Sequence, residues 1–487
     1  MSLMTGEGYR ESLKGLKRPI YFMGSRIEDV VLHPATKPHV NAAAMTYEMA
    51  HDPQFESLLT ATSHLSGKRI SRFTHIHRST EDLIKKVKML RLIAQRTGSC
   101  FQRCVGFDAL NTLFGITYEM DEKLGTRYHA RFLKYLAWVQ ESDLMCAGAM
   151  TDPKGDRHLS PSQQRDPDLY LHLVEKRKEG IVVRGAKAHQ TGAVNSHEII
   201  VLPTVAMEAA DEAYALAFAT PADAPGLLHI FGRQTNDSRK WEGEIDQGNA
   251  CFGTVGGEAL LIFQDVFVPW ERVFLCGEHE FAGPLVDRFA SYHRQNYGAC
   301  KAGNCDIIIG AVSALAFAQG IAGASHVKDK IAEMVHLTET LYSGSIACSS
   351  EGYKTASGAY FVHPLLANTT KLNVTRFYYE VCRLAQDIAG GYLATLPSEQ
   401  DLRDPEIGKL IEKYLHPGTE ASAEERIRLG RLIENMTCGA PLVEVMHGAG
   451  SPQAMKIILL RQAGLDQKMM LARKLCGIER KGEAEPS

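Results

Sequence analysis

The sequence predicts an α+β chain in three parts: a helical N-terminal domain over residues 1–144, a β-rich middle domain over 145–280 and a helical bundle over 281–487. Three observations predict it. Apolar residues recur at helical spacing through Leu83, Val87, Leu90 and Ile93, and again through Val105, Leu110, Leu113 and Phe114. Short β-rich runs separated by polar turns follow: Ile181 to Arg184, Glu198 to Leu202, Tyr214 to Phe218, Leu227 to Phe231 and Ala259 to Phe267. From about residue 281 helical patterning returns and lasts to the end.

The first helix opens at Ser79-Thr80-Glu81-Asp82, a capping residue followed by acidic side chains in the first turn. Gly98 and Ser99 interrupt the pattern, and a second helix is expected from near Cys100. Thr151 to Arg157 is a turn-rich loop, and the strands after it suit a small β-barrel or sandwich. In the last part Ser325 is expected to cap a helix striped with Val327, Ile331, Met334, Leu337 and Leu341. Another helix runs from about Pro364 to a stop at Gly390-Gly391. Ser422-Ala423-Glu424-Glu425 reads as a capping box, and Ser451-Pro452 places a cap before a first-turn proline. The tail, Gly482 to Ser487, is expected to be disordered.

Composition narrows the class. The chain has 487 residues, 45% apolar and 23% charged, enough for a large core. A net charge of −3 suggests neither a nucleic-acid nor a membrane partner. The start, Met1 to Thr5, lacks a basic and apolar leader, and the apolar run from Ile307 to Ala318 is too short to span a bilayer. The 11 cysteines form no small-domain framework, which implies free thiols and a cytoplasmic location.

Two short stretches carry candidate chemistry. Cys100-Phe101-Gln102-Arg103-Cys104, if helical, sets two thiols one turn apart. His293-Arg294-Gln295-Asn296-Tyr297-Gly298-Ala299-Cys300, if helical, sets His293, Tyr297, Cys300 and Lys301 on one face. Three thiolates and an imidazole can hold an iron–sulfur cluster, and the same set is also an ordinary structural zinc site. A C-x3-C pair alone is more often packing. In the middle segment the loop Asp152 to Arg157 offers backbone N–H groups, Lys154 and Arg157 to a phosphate, though composition alone favours a solvated turn. His189-Gln190-Thr191-Gly192 reads as a turn suited to the edge of a polar ring, or a plain hairpin. Glu258 stands just before a strongly apolar strand, and burial without a role would be costly. Glu444 to Pro452 is a Gly-rich loop ending at a helix N-terminus, which can receive an anion or simply connect helices. No G-x-G-x-x-G motif marks a Rossmann domain.

These stretches, SCFQRCVG, AMTDPKGDR, VVRGAKAHQTG, YHRQNYGACK and MHGAGSPQA, resemble the 4-hydroxybutyryl-CoA dehydratase family over nearly the whole chain. Its wider superfamily includes the flavin-dependent 4-hydroxyphenylacetate 3-monooxygenases, and its fold is that of the acyl-CoA dehydrogenases, with a middle β-barrel domain. The DPKGDR-like and HGAGSPQ-like loops are shared with those relatives; the cysteine and histidine set is specific to the dehydratase branch. The resemblance implies a 4Fe-4S cluster on Cys100, Cys104, His293 and Cys300. It implies FAD lined by Met150, Asp152, Lys154, Gly155, Asp156, Arg157, His189, Gln190, Thr191 and Ala449. It carries catalytic roles to His293, Tyr297, Glu444, Glu258 and Lys301, a CoA-thioester substrate, vinylacetyl-CoA isomerase activity and a homotetramer. The segments 403–423 and 438–444 look shorter than the family's. The implied reaction removes water from 4-hydroxybutyryl-CoA, where the C3 hydrogen is not activated by the thioester, so acid–base chemistry alone does not reach it. The rival readings are a monooxygenase using reduced FAD on an aromatic ring, and a helical protein with a structural zinc.

Overall fold

The computed structural model describes residues 3–235 and 237–478, so the expected disorder from Gly482 to Ser487 lies outside the described residues. The helix Thr80–Thr97 starts where the capping signal places it: the Ser79 hydroxyl accepts from the Asp82 N–H, and Gly98 closes the helix at φ 58°. Leu83, Val87, Leu90 and Ile93 are all buried, and Lys86 is buried on the same face.

The next helix, Cys104–Leu124, begins later than the spacing suggests. Cys100 to Arg103 form a loop in which Gln102 sits at φ 68°, a backbone that cannot continue a right-handed helix. The loop is held from within. The Gln102 amide donates to the carbonyls of His39 and Cys100. The Arg103 guanidinium lies between the rings of Tyr47 and Phe73, at 3.9 and 4.6 Å, and donates to Thr46 Oγ1. Cys100 and Cys104 therefore do not stand on consecutive helical turns. The helix packs on the strand Cys146–Ala149 at Gly106, where a Cβ would lie 2.0 Å from the Cys146 carbonyl oxygen.

The middle of the chain makes two sheets. One runs in the order Ser25–Ile27, Ile20–Phe22, Leu227–Phe231, Glu258–Pro269, Gly180–Thr191, His172–Lys176; the other runs Val273–Cys276, Leu216–Pro221, Glu198–Val201, Cys146–Ala149. They pack as a sandwich through contacts such as Phe218 against Phe263. Two strands of the larger sheet come from the mainly helical N-terminal stretch, because Ile20–Phe22 pairs in parallel with Leu227–Phe231. Two boundaries also move. Tyr214 ends a 3-10 turn, so that strand begins at Leu216. The strand from Gly180 continues to Thr191, so His189 to Thr191 lie in its last turn of pairing rather than in a loop after it.

The C-terminal part is built on the helix Ala282–Ala318. By length and composition this helix could cross a membrane. Its middle, however, buries Arg294, Gln295, Asn296 and Lys301 against Thr80–Thr97, Ser325–Ser350 and Pro364–Ala389, as a core helix does. Gly390 ends the Pro364 helix at φ 84°. Ser422 and Ser451 cap their helices, accepting from the N–H groups of Glu425 and Ala454. Ser325 is the first helical residue rather than the cap, which Ala324 occupies without a side-chain bond.

Candidate active site

The long helix and the 100–104 loop meet at the buried centre of the chain. Cys100, Cys104 and Cys300 are all free thiols. Burial pushes Cys100 and Cys104 well up and Cys300 up to about 11. The charge of Cys300 adds to the effect on both of the others, and that of Cys100 adds to the effect on Cys104, which places the three sulfurs within electrostatic reach of one another. His293 lies two turns before Cys300 on the same helix. Its Nδ1 lies 2.8 Å from Asp108 Oδ2, its ring stacks on Phe289, and Tyr297 meets it edge-on. Among the described residues, no three His, Cys, Asp or Glu side chains converge on a single ion position.

One turn further, the same helix builds an acid–base group. Tyr297 donates to Glu444 Oε1 at 3.0 Å, and Lys301 donates to Oε2 at 2.5 Å. Burial alone would raise the Glu444 carboxyl, but Lys301 and the Tyr297 hydroxyl hold it below its usual range. Burial raises the Tyr297 phenol, helped by Glu444. The approach of the two segments is close: a Cβ on Gly448 would lie 1.7 Å from the Tyr297 hydroxyl. Lys371 completes the group, with its ammonium 4.3 Å from the Tyr297 ring centre and bonded to the Val445 carbonyl. Burial brings its pKa down to about 7 despite Glu444.

Across from these, Glu258 is the first residue of the strand Glu258–Pro269, and Thr191 donates to its carboxylate. Burial pushes it up to about 8 against the pull of Thr191. A Cβ at Gly256 would stand 3.1 Å from Glu258 Oε1 and 3.4 Å from the Cys100 sulfur, so this carboxyl borders the thiols as well. Two carboxyls displaced in opposite directions in one site suit one donor and one acceptor of protons.

The third face lies at the sandwich. Seven described non-glycine residues have positive φ, and Gln102, Lys154, His189 and Ala449 among them border this region, a concentration of backbone strain that points to a functional site. His189 sits in a bulge, where the register shifts between Ala259 and Leu261. Burial lowers its pKa, as do the charges of Lys154 and His447, which ties the 152–157 loop, the strand end and the 448–450 loop to one space. Gly155, Asp156 and Arg157 are exposed on it. Asp152 is not: its oxygens accept from Lys187 and from the Leu171 N–H. Gln190 likewise bonds the Met150 N–H and the Thr151 carbonyl, so both side chains hold the loop on the strand. The Ala449 carbonyl is fixed by Arg294.

Three residues of this centre do not stand out in the motifs. Asp108 is one helical turn after Cys104, Asn296 is three residues after His293, and Lys86 interrupts an apolar stripe. The last was the readable signal, a lysine on a face otherwise built from leucine, valine and isoleucine.

The sandwich between two helical parts is the architecture of the acyl-CoA dehydrogenases: a glutaryl-CoA dehydrogenase superposes with TM-score 0.52 at 14% identity over 85% of each chain. Residues 5–275 match the family described as 4-hydroxyphenylacetate 3-hydroxylase N terminal, and residues 282–477 match its C terminal counterpart. The chain is 54% identical to the 4-hydroxybutyryl-CoA dehydratase/vinylacetyl-CoA-Δ-isomerase of Clostridium aminobutyricum, over 98% of this chain and 100% of that one. An oxygen-tolerant archaeal 4-hydroxybutyryl-CoA dehydratase from N. maritimus superposes with TM-score 0.97 at 49% identity, over 100% of this chain and 97% of that one. The oxygenase component of a 4-hydroxyphenylacetate 3-monooxygenase, solved with FAD, superposes with TM-score 0.85 at 26% identity, over 97% and 98%. The fold is thus of the acyl-CoA dehydrogenase-like class. Within that class the chain belongs to the 4-hydroxyphenylacetate 3-hydroxylase family, and in it to the 4-hydroxybutyryl-CoA dehydratases.

Proposed function

We propose that this chain dehydrates 4-hydroxybutyryl-CoA to crotonyl-CoA and interconverts vinylacetyl-CoA, with FAD and a 4Fe-4S cluster bound. The observation that carries the reading is the meeting of Cys100, Cys104 and Cys300 beside Glu444 and Glu258, with His293 two turns before Cys300 on the long helix, a set with no use in aromatic hydroxylation. The donors suit a cluster. The three thiols are unpaired in disulfides, and the Nε2 of His293 has no protein partner among the described residues while its Nδ1 is taken. A cubane takes one ligand at each iron, so its ligands stand around a volume and need not converge on one ion. Lys154, Gly155, Arg157, His189, Thr191 and Ala449 border the space we assign to FAD.

When bound, these groups would supply one-electron redox chemistry and a Lewis-acidic iron for the leaving oxygen. The protein's own part is proton handling. Glu444, kept ionised by Lys301, is placed to accept a proton from the carbon next to the thioester, and Glu258, protonated up to about 8, is placed to give one. Tyr297 bridges Glu444 to whatever docks beside His293. Protein purified without oxygen is expected to carry about four irons with matching sulfide, together with one FAD per chain, and to convert 4-hydroxybutyryl-CoA to crotonyl-CoA. Stoichiometric zinc in place of iron would overturn the reading, as would hydroxylation of an aromatic ring when reduced FAD and dioxygen are added.

We also infer a cytoplasmic homo-oligomer, a tetramer on the resemblance. Among the described residues the helices Pro452–Gln462 and Leu465–Leu475 bury only Met455 within the chain and leave Ile457, Leu460, Leu465, Leu471 and Leu475 exposed, apolar side chains that a contact with another copy would cover. Light scattering at micromolar concentration should give a multiple of the 53.7 kDa chain mass, and a monodisperse monomer would refute this.

A further inference from the structure

We propose that Lys86, Asp108 and Asn296 form a buried positioning device that orients His293, keeping its Nε2 toward the thiols, and that they set how firmly the imidazole stays there; the inference rests on the cluster reading above. Asp108 divides its two oxygens. Oδ1 accepts from the Lys86 ammonium at 2.6 Å, while Oδ2 accepts from Asn296 Nδ2 at 2.6 Å and meets His293 Nδ1 at 2.8 Å. The side chains of Lys86 and Asp108 are both 0% exposed. Lys86 donates also to the Tyr292 carbonyl, and its ammonium stands 5.4 Å from the ring centres of both Phe107 and Tyr292.

Such a pair is a poor choice for stability. Two charges are removed from water, and apolar side chains of the same volume commonly hold a core at least as well. What the pair does supply is a fixed acceptor at Nδ1. An imidazole that donates from Nδ1 to a carboxylate presents the Nε2 lone pair, in one tautomer and one plane. Phe289 stacked at 22° and Tyr297 at 76° complete the enclosure of the ring. Two of the supporting residues share helices with proposed ligands: Asp108 lies one turn from Cys104, and Asn296 lies between His293 and Cys300, while Lys86 reaches in from the helix Thr80–Thr97. Carboxylates behind ligating histidines have this effect in metal sites generally, and losing one costs about 10- to 100-fold in metal retention.

The test compares wild type, Asp108→Asn and the double variant Lys86→Met/Asp108→Asn, which removes both charges together and so avoids leaving either one buried alone. Each is purified and reconstituted anaerobically. FAD content and thermal unfolding are measured first, then iron release to a chelator and the nitrogen hyperfine coupling of the reduced cluster. The expected result is normal FAD and folding in the double variant, with iron released about 10- to 100-fold faster and the imidazole nitrogen coupling weakened or lost. A purely structural role would move the unfolding temperature and leave the coupling unchanged. Wild-type release rate and wild-type coupling in a double variant that folds and holds FAD would overturn the inference while leaving the cluster in place. A wild-type chain that takes up no iron would overturn the cluster reading and this inference with it.

Discussion

Cys300→Ala is expected to abolish dehydratase turnover and iron retention together while the chain stays folded and keeps FAD. Removing one sulfur from a half-buried position costs roughly 0.5–3 kcal/mol, small against the ~5–15 kcal/mol that holds a typical chain folded. Cys300 also has little other work: among the described residues its sulfur meets the Lys301 backbone N–H and no side-chain hydrogen bond, and it packs at the edge of the core. Its neighbours Tyr297 and Lys301 keep Glu444 between them without it. The measurement is iron, sulfide and FAD on the same anaerobic sample, with crotonyl-CoA formation followed in parallel. Turnover lost with all iron retained would show that Cys300 acts on the substrate and not as a ligand. Turnover and iron both retained would return it to packing.

How far the sequence carried can be judged at particular residues. The long helix was readable because His293, Tyr297, Cys300 and Lys301 repeat at helical spacing within an apolar setting, and the helix Ala282–Ala318 contains all four. The caps at Ser79, Ser422 and Ser451 were readable because a side-chain oxygen there satisfies an N–H that nothing else reaches. The 100–104 loop was not. Its left-handed Gln102 depends on His39 and on Arg103 wedged between Tyr47 and Phe73, contacts from more than twenty residues away that no local pattern records. The strands Ile20–Phe22 and Ser25–Ile27 escaped for a like reason: they are short, and the pair joins the sheet only where Ile20–Phe22 meets the distant Leu227–Phe231. The candidate site was legible as residue types brought to one place. The division of labour within it was not, because the opposite displacement of Glu258 and Glu444 depends on how deeply Glu258 is buried and on Lys301 and Tyr297 meeting Glu444 in space.

Glu444→Gln is expected to lose about 10²- to 10⁴-fold in turnover, the range for a removed general acid or base, with iron, FAD and fold retained. The change keeps the shape of the side chain and an oxygen for Lys301 or Tyr297 to bond, so the helix end at Ala440–His447 has no steric reason to move. What it removes is the proton acceptor and the counter-charge of Lys301, whose own pKa Glu444 holds up against burial. Lys371 donates to the Val445 carbonyl, a bond that its neutral amine can also make, so that segment remains anchored in the variant even though the loss of the Glu444 charge favours the neutral amine. Tyr297→Phe gives the scale: it removes one bond to Glu444 but leaves the Lys301 pair and the acceptor, and so should cost less, at least roughly tenfold but short of the Gln variant. Turnover is read as crotonyl-CoA formed anaerobically, with KM measured for both variants. If Glu444→Gln raises KM and spares kcat, Glu444 binds the thioester and does not move a proton. If Tyr297→Phe costs more than Glu444→Gln, the proton passes through the phenol, and the carboxylate only holds that phenol in place.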